Sequence, residues 1–185
     1  MEAVENDTEF SLRSPKTNEA THTVNARQLF QKILETRLQT GEPYLIFIDT
    51  ANNALPRHQR ELGLKIHTSN LCSEIMLPTG RDHLGKERTA VCCLSSVNAQ
   101  TWDEWHTDPR FIEDVMRFLD NVLQEFIDTA PVGMARAIYS ATRERSVGLG
   151  LMGFHSFLQS KGVPFEGALS KSWNMKMFKH LRRAA

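Results

Sequence analysis

His67-Thr68-Ser69-Asn70-Leu71-Cys72-Ser73-Glu74-Ile75-Met76-Leu77 places an amide, a thiol and a carboxylate at alternating positions. On an extended chain, residues two apart share a face. Asn70, Cys72 and Glu74 are therefore predicted to point together along about 7 Å of strand. Leu71, Ile75 and Leu77 make the opposite face apolar. Buried polar side chains need partners, and three unlike polar groups on one face suggest a thiol-based site. The bland alternative is a strand whose cysteine packs as a small hydrophobe and whose glutamate faces water.

The neighbouring segments set this stretch in an α/β pattern. Residues 78–88 are charged, hold two glycines and read as an exposed connection. Thr89–Val97 is apolar and β-branched, hence a second buried strand. It carries Cys92-Cys93, and adjacent strand residues face opposite ways, so one of the two at most can share a site with Cys72. Upstream, Pro43–Asp49 has the length and apolarity of a strand covered on both faces. Before it, Asn25 caps a helix over 25–40 that ends at Gly41, and residues 1–22 read as a loop-like lead-in.

Downstream, Trp102 and Trp105 are expected as packing anchors. Asp108-Pro109 starts a helix whose span 111–127 is apolar enough to be largely buried. A short helix is expected over 134–142. Gly148-Leu-Gly150-Leu-Met-Gly153 has the letters of the dinucleotide fingerprint but follows Thr142-Arg-Glu-Arg-Ser, which is no apolar strand. These glycines are read as close helix packing, with a helix running on to Lys161. A last helix begins near Leu169. Helices alternating with apolar strands predict an α/β fold.

Composition narrows the function classes. Acidic and basic residues balance at 22 each, so no basic field draws nucleic acid. No apolar run approaches the ~20 residues of a membrane helix, and the acidic N-terminus has no signal-peptide pattern. Three cysteines form no disulfide framework, which predicts a reducing, cytoplasmic setting. A zinc module built from Cys72, Cys92, Cys93 and His67 or His83 is the other chemistry these residues allow, though paired ligand spacing is missing.

Ser69–Ile75 resembles the active-site signature of the large (α) subunit of ribonucleotide reductase, class I type. Thr40-Gly41-Glu-Pro-Tyr44, Ala90-Val-Cys92-Cys93-Leu-Ser-Ser-Val-Asn98 and Arg145-Ser-Val-Gly148-Leu-Gly150 occur in that family's order and at compatible spacing. The resemblance implies an α/β barrel of which residues 1–185 are part of one catalytic domain, with the thiyl cysteine on a central loop. It implies reduction of ribonucleoside diphosphates to deoxyribonucleotides for DNA synthesis. Cys72 would form the thiyl radical, Glu74 would take the 3′-hydroxyl proton, and Asn70 would hold the substrate beside Ser69. Cys92 would be one thiol of the redox pair, with Cys93 an extra thiol beside it. No cofactor is expected in this chain. The radical would come from a metal-containing small (β) subunit, electrons from a thioredoxin-like dithiol, and the intact enzyme would be an oligomer. The second redox cysteine, relay tyrosines and phosphate loop of the family have no counterpart here. A segment inactive alone, or a scaffold piece of a split enzyme, is therefore expected.

Overall fold

The computed structural model describes all 185 residues, which divide into two compact units, Met1–Phe47 and Ile48–Ala185. The first unit holds α1 (Glu2–Glu5), β1 (Glu9–Arg13), β2 (Ala20–Asn25) and α2 (Ala26–Thr40). β1 and β2 form an antiparallel hairpin, Glu9 opposite Asn25. Residues 1–22 are thus not loop-like; a helix and most of a hairpin occupy them. At the hairpin's end, Asn25 Oδ1 accepts from the Gln28 N–H at 2.9 Å, and Gly41 closes α2 with φ +80°. Arg27 ties the unit together by donating to the carbonyls of Val4 and Glu5 and pairing with Asp7.

The second unit opens with α3 (Ile48–Asn53) and α4 (Arg57–Glu61). The strand expected over 43–49 does not form. Its apolar run has no ladder partner, and its last residues begin α3 instead. Next come β3 (Gly80–Arg81), β4 (Glu87–Arg88), β5 (Leu94–Asn98), α5 (Trp102–Trp105), α6 (Phe111–Thr129), α7 (Ala135–Glu144), β6 (Gly148–Met152), α8 (Phe154–Ser160) and α9 (Ala168–Ala184). The strand expected over 89–97 is the shorter β5, so Cys92 and Cys93 lie in the extended approach to it. Asp108 caps no helix directly; its carboxylate accepts from the Arg110 N–H, and α6 starts one residue later.

β5 and β6 pair in parallel, Leu94 opposite Gly148 through Asn98 opposite Met152. The helices α5, α6 and α7 make the crossover between them, the connection parallel strands require. The glycines at 148 and 150 therefore belong to a strand and not to a helix contact. A Cβ at Gly148 would collide with the Leu94 side chain, and one at Gly150 would sit 2.8 Å from Ser96 Oγ. The fold is α/β as expected, but the chain closes no barrel, because its sheets have two strands each.

Two apolar clusters hold this unit. One gathers Val97, Trp102, Trp105, Ile112, Phe157 and Met177, with Trp105 Nε1 donating to the Asn98 carbonyl at 2.8 Å. The tryptophans are packing anchors, as the sequence suggests. The other gathers Cys93, Leu119, Leu123 and Ala141. α6 is less buried than expected: Ile112, Leu119 and Leu123 face the core, while Phe118 is 63% exposed. No helix is long and apolar enough to cross a membrane.

Candidate active site

The signature residues sit on a loop and not on a strand. The Ser73 N–H donates to the Asn70 carbonyl at 3.1 Å, and Ser73 adopts φ +66°. Asn70 Oδ1 accepts from the Ile75 N–H at 3.0 Å, and Ser69 Oγ donates to the Asn70 carbonyl at 2.9 Å. Asparagine and serine side chains close turns in this way. The strand alternation that put Asn70, Cys72 and Glu74 on one face is therefore broken at Ser73. Cys72 is exposed at the tip, beside Leu71, which is 91% exposed.

The base of this loop is tied on both sides. Asn52 Nδ2 donates to the carbonyls of Ile48 and Ile66, and its Oδ1 accepts from the Ile66 N–H, each at 2.9 Å. One side chain thus satisfies the backbone of Ile66 as a neighbouring strand would. The Thr79 N–H donates to the Lys65 carbonyl at 3.0 Å, joining the two arms. A loop with a fixed base and a free tip is the result.

Glu74 and Cys92 come together in one groove of about 530 Å³. The arm Glu74–Leu77 forms one wall, the segment 91–96 a second and the segment 146–150 a third. Ser69, Asn70 and Cys72 do not line it. Cys93 turns the other way, as adjacent residues on extended backbone must. Its Sγ donates to the Leu119 carbonyl at 3.3 Å and it is 8% exposed. Burial pushes its thiol up, and the neighbouring charges of Cys92 and Asp120 add to that. Cys92 is exposed.

Polar clamps missed in the sequence fix the remaining walls. The connection 78–88, expected to be exposed, contains the β3–β4 hairpin and two buried charges, Asp82 and Arg88. Asp82 Oδ2 accepts from Arg88 Nε at 3.0 Å and from the Tyr139 hydroxyl at 2.8 Å, while Oδ1 accepts from the N–H groups of Leu84 and Lys86. Burial raises the Asp82 carboxyl, but these donors together hold it well below the usual carboxylate range. Arg88 also pairs with Glu144 at 2.9 Å, and the Thr89 N–H donates to Ser140 Oγ. For Glu144, burial outweighs Arg88 and keeps the carboxyl above its ordinary value. The only sequence hint was Asp82-His-Leu-Gly85, a turn signal.

At the third wall, Arg145 takes a left-handed conformation, φ +48°. Its guanidinium donates to Asp120 Oδ1 at 2.9 and 2.7 Å and to Gln124 Oε1 at 2.7 Å, clamping the start of β6 to α6. The zinc alternative has no site. Nowhere do three His, Cys, Asp or Glu side chains gather as a metal would require. A solvent-facing thiol and a carboxylate across a groove can serve redox and proton-transfer chemistry on one bound molecule.

The sequence model of the family described as "Ribonucleotide reductase, barrel domain" matches residues 1–185. A "Ribonucleoside-diphosphate reductase large subunit" of Invertebrate iridescent virus 3 is 48% identical over 178 residues, 94% of this chain and 28% of that protein. Another of that name, from Invertebrate iridescent virus 6, is 50% identical over 111 residues, 60% of this chain and 11% of that protein. The solved "class Id ribonucleotide reductase alpha subunit" of Actinobacillus ureae superposes with a TM-score of 0.75 at 38% identity, covering 85% of this chain and 30% of that one. The chain therefore spans less than a third of these relatives.

Proposed function

The chain belongs to the ribonucleotide reductase barrel-domain family, and from that premise we propose that it is a catalytic segment of a ribonucleoside-diphosphate reductase large subunit. The reading takes residues 1–185 as part of one catalytic barrel domain that makes deoxyribonucleotides for DNA synthesis in the cytoplasm. The observation that carries it is the pairing of Cys92 with Glu74 in one groove while Cys93 is turned into the core.

In this scheme the ribose of a nucleoside diphosphate lies in the groove lined by Glu74 and Cys92. The Cys72 loop, whose tip lies outside that groove, turns toward it when substrate binds. Cys72, once in its thiyl form, takes the 3′ hydrogen atom, and Glu74 takes the 3′-hydroxyl proton. The 2′-hydroxyl then leaves as water. Two thiols supply two electrons and two protons and become a disulfide, and Cys72 returns the hydrogen atom to C3′. Cys92 is one of those thiols. Asn70 and Ser69 hold the loop's shape through their own turn, which leaves Asn70 Nδ2 free to donate to substrate. The radical source is a metal-containing small subunit, and the reductant is an external dithiol of the thioredoxin kind.

The test uses the full-length large subunit in which these residues occur, assembled with its small subunit and supplied with cytidine diphosphate and dithiol. Cys92→Ser is expected to abolish steady turnover, whereas Cys93→Ser keeps it. The opposite pattern would move the redox role to Cys93. Cys72→Ser is expected to abolish product while substrate still binds. Glu74→Gln is expected to lower kcat far more than it raises KM.

A further inference from the structure

Away from the Cys92 groove, the last turns of α9 and the end of α5 enclose a second pocket of about 360 Å³. Its lining includes Lys176, Lys179, Arg183, His106 and His180 over the edge of Trp102, with no acidic residue. None of the two lysines or the arginine takes part in an ion pair. The carboxylate of Asp103, on α5, is bonded to Lys161 at 2.6 Å, and its charge also acts more weakly on His106 and Lys176. A helix C-terminus attracts cations, which accounts for Arg182 and Arg183 at the end of α9. It does not account for Lys176, two turns further in, whose Nζ lies 4.6 Å from the Trp173 ring centroid and 6.0 Å from that of Trp102.

A second observation is independent of the charge count. His180 Nε2 is buried and has no hydrogen-bond partner, the single such side-chain atom in the structure. Its ring meets the edge of Trp102 at 5.2 Å, and His106 stacks on the same indole at 4.8 Å. His106 Nδ1 is held by the Trp102 carbonyl at 2.8 Å, so its Nε2 is the nitrogen left for another partner. Buried polar atoms without partners are rare, and each calls for one. Burial and the charge of His106 both lower the His180 imidazole. A negative charge held in the pocket would relieve that repulsion and favour the imidazolium, whose ring nitrogens both donate.

We propose that the pocket between α5 and α9 is a phosphate-binding site, built by Lys176, Lys179, Arg183, His106 and His180 and selective for a compact multiply charged phosphate. Tetrahedral oxyanions offer several acceptors to converging cations, and charge-assisted bonds of this kind are the strong ones. Trp102 is 2% exposed, so no free aromatic face is left on which a base could stack. The site therefore reads phosphate alone. The proposal is independent of the redox reading, since the two pockets share no residue.

The experiment follows histidine Cε1–H resonances of the 185-residue chain while inorganic triphosphate is added, then repeats it with adenosine triphosphate. Saturable shifts are expected at His180 and His106, with His22 and His58 unmoved. The titration midpoint of His180 should rise, because the bound anion favours the imidazolium against Lys176, Lys179, Arg183 and His106. The exposed Lys179→Ala is the deciding variant, as it leaves the tryptophan packing intact. It should weaken binding about tenfold, the worth of one charge-assisted contact. Equal affinity for the two probes identifies a phosphate group from either source. Tighter binding of inorganic triphosphate names the free anion as the source. Tighter binding of adenosine triphosphate would show that the base is read and would overturn the proposal of a site for phosphate alone. No saturable shift at His180, shifts of equal size at His22 and His58, or unchanged binding in Lys179→Ala would overturn the proposal.

Discussion

Two adjacent thiols of the same type are given opposite reactivity by their surroundings. Cys93 is buried among Leu119, Leu123 and Ala141, donates to a backbone carbonyl, and has its thiol pushed up by burial, Cys92 and Asp120. Cys92 is exposed to the groove. The thiolate is the nucleophile, and burial both hides the Cys93 thiol and disfavours its ionisation. Brief alkylation with iodoacetamide at mildly alkaline pH should modify Cys72 and Cys92 at least about tenfold faster than Cys93, with the difference lost in urea. Peptide mass spectrometry reads the three sites separately. Equal rates at Cys92 and Cys93 would contradict the burial on which the assignment of the redox thiol rests. Sequence alone could say that the two face opposite ways, since that follows from the backbone. Which of them faces the core depends on α6, whose Leu119 lies 26 residues away.

The β3–β4 hairpin is an element held by charge. Arg88 has a side chain 3% exposed and joins Asp82 of the hairpin to Glu144 at the end of α7. Removing one member of a buried network leaves the others unpaired, so Arg88→Met should destabilise the fold by about 3 kcal/mol, read from urea unfolding. Little change would mean that the pair merely balances its own desolvation. Acid dependence separates the two carboxylates. Asp82 is raised by burial but lowered more by its donors, so its folded value lies below the ordinary 3.8. Its contribution is complete above 3.8 and fades as pH falls through the lower folded value. Glu144 runs the other way: its contribution is complete below the ordinary 4.5 and fades as pH rises through the raised one. The stability difference between the wild type and Asp82→Asn should therefore be constant above 3.8 and shrink below it. A difference independent of pH would place Asp82 outside the network. Elements of this kind were the least legible. The helix over 25–40 was readable because its cap and stop are local, Asn25 to Gln28 and Gly41. The alternation at 70–77 failed because Asn70 spends its side chain on the Ile75 N–H, closing a turn that periodicity does not register. The Arg88–Glu144 link, 56 residues apart, leaves no local trace at all.

Taken as a whole, the chain leaves surfaces that want neighbours. β5 and β6 pair only with each other, so each has an open edge. Beside them, Leu94, Phe118 and Val122 line an apolar groove of about 390 Å³ and are 48%, 63% and 44% exposed. Open edges and contiguous apolar faces are sites of association. Since relatives carry the matching segment within less than a third of their length, the expected occupant is the rest of the large-subunit barrel. The isolated chain should then associate with rising concentration, and Phe118→Glu with Val122→Glu should suppress this in sedimentation velocity without altering its circular dichroism. The proposed chemistry meets a different shortage. In that scheme, reduction of a ribose consumes two thiols besides Cys72. The chain has Cys92 exposed, Cys72 on the loop and Cys93 sealed in the core. With no radical source and no second accessible thiol beside Cys92, the 185-residue chain mixed with cytidine diphosphate and dithiothreitol should form no deoxycytidine diphosphate above a no-protein blank. Supplying the missing barrel strands and the small subunit in trans should restore it, if the scaffold and the thiol chemistry can be divided between chains. Product from the chain alone would mean that the chemistry needs neither a small-subunit radical nor a partner thiol for Cys92, and the roles proposed for Cys72 and Cys92 would fall with it.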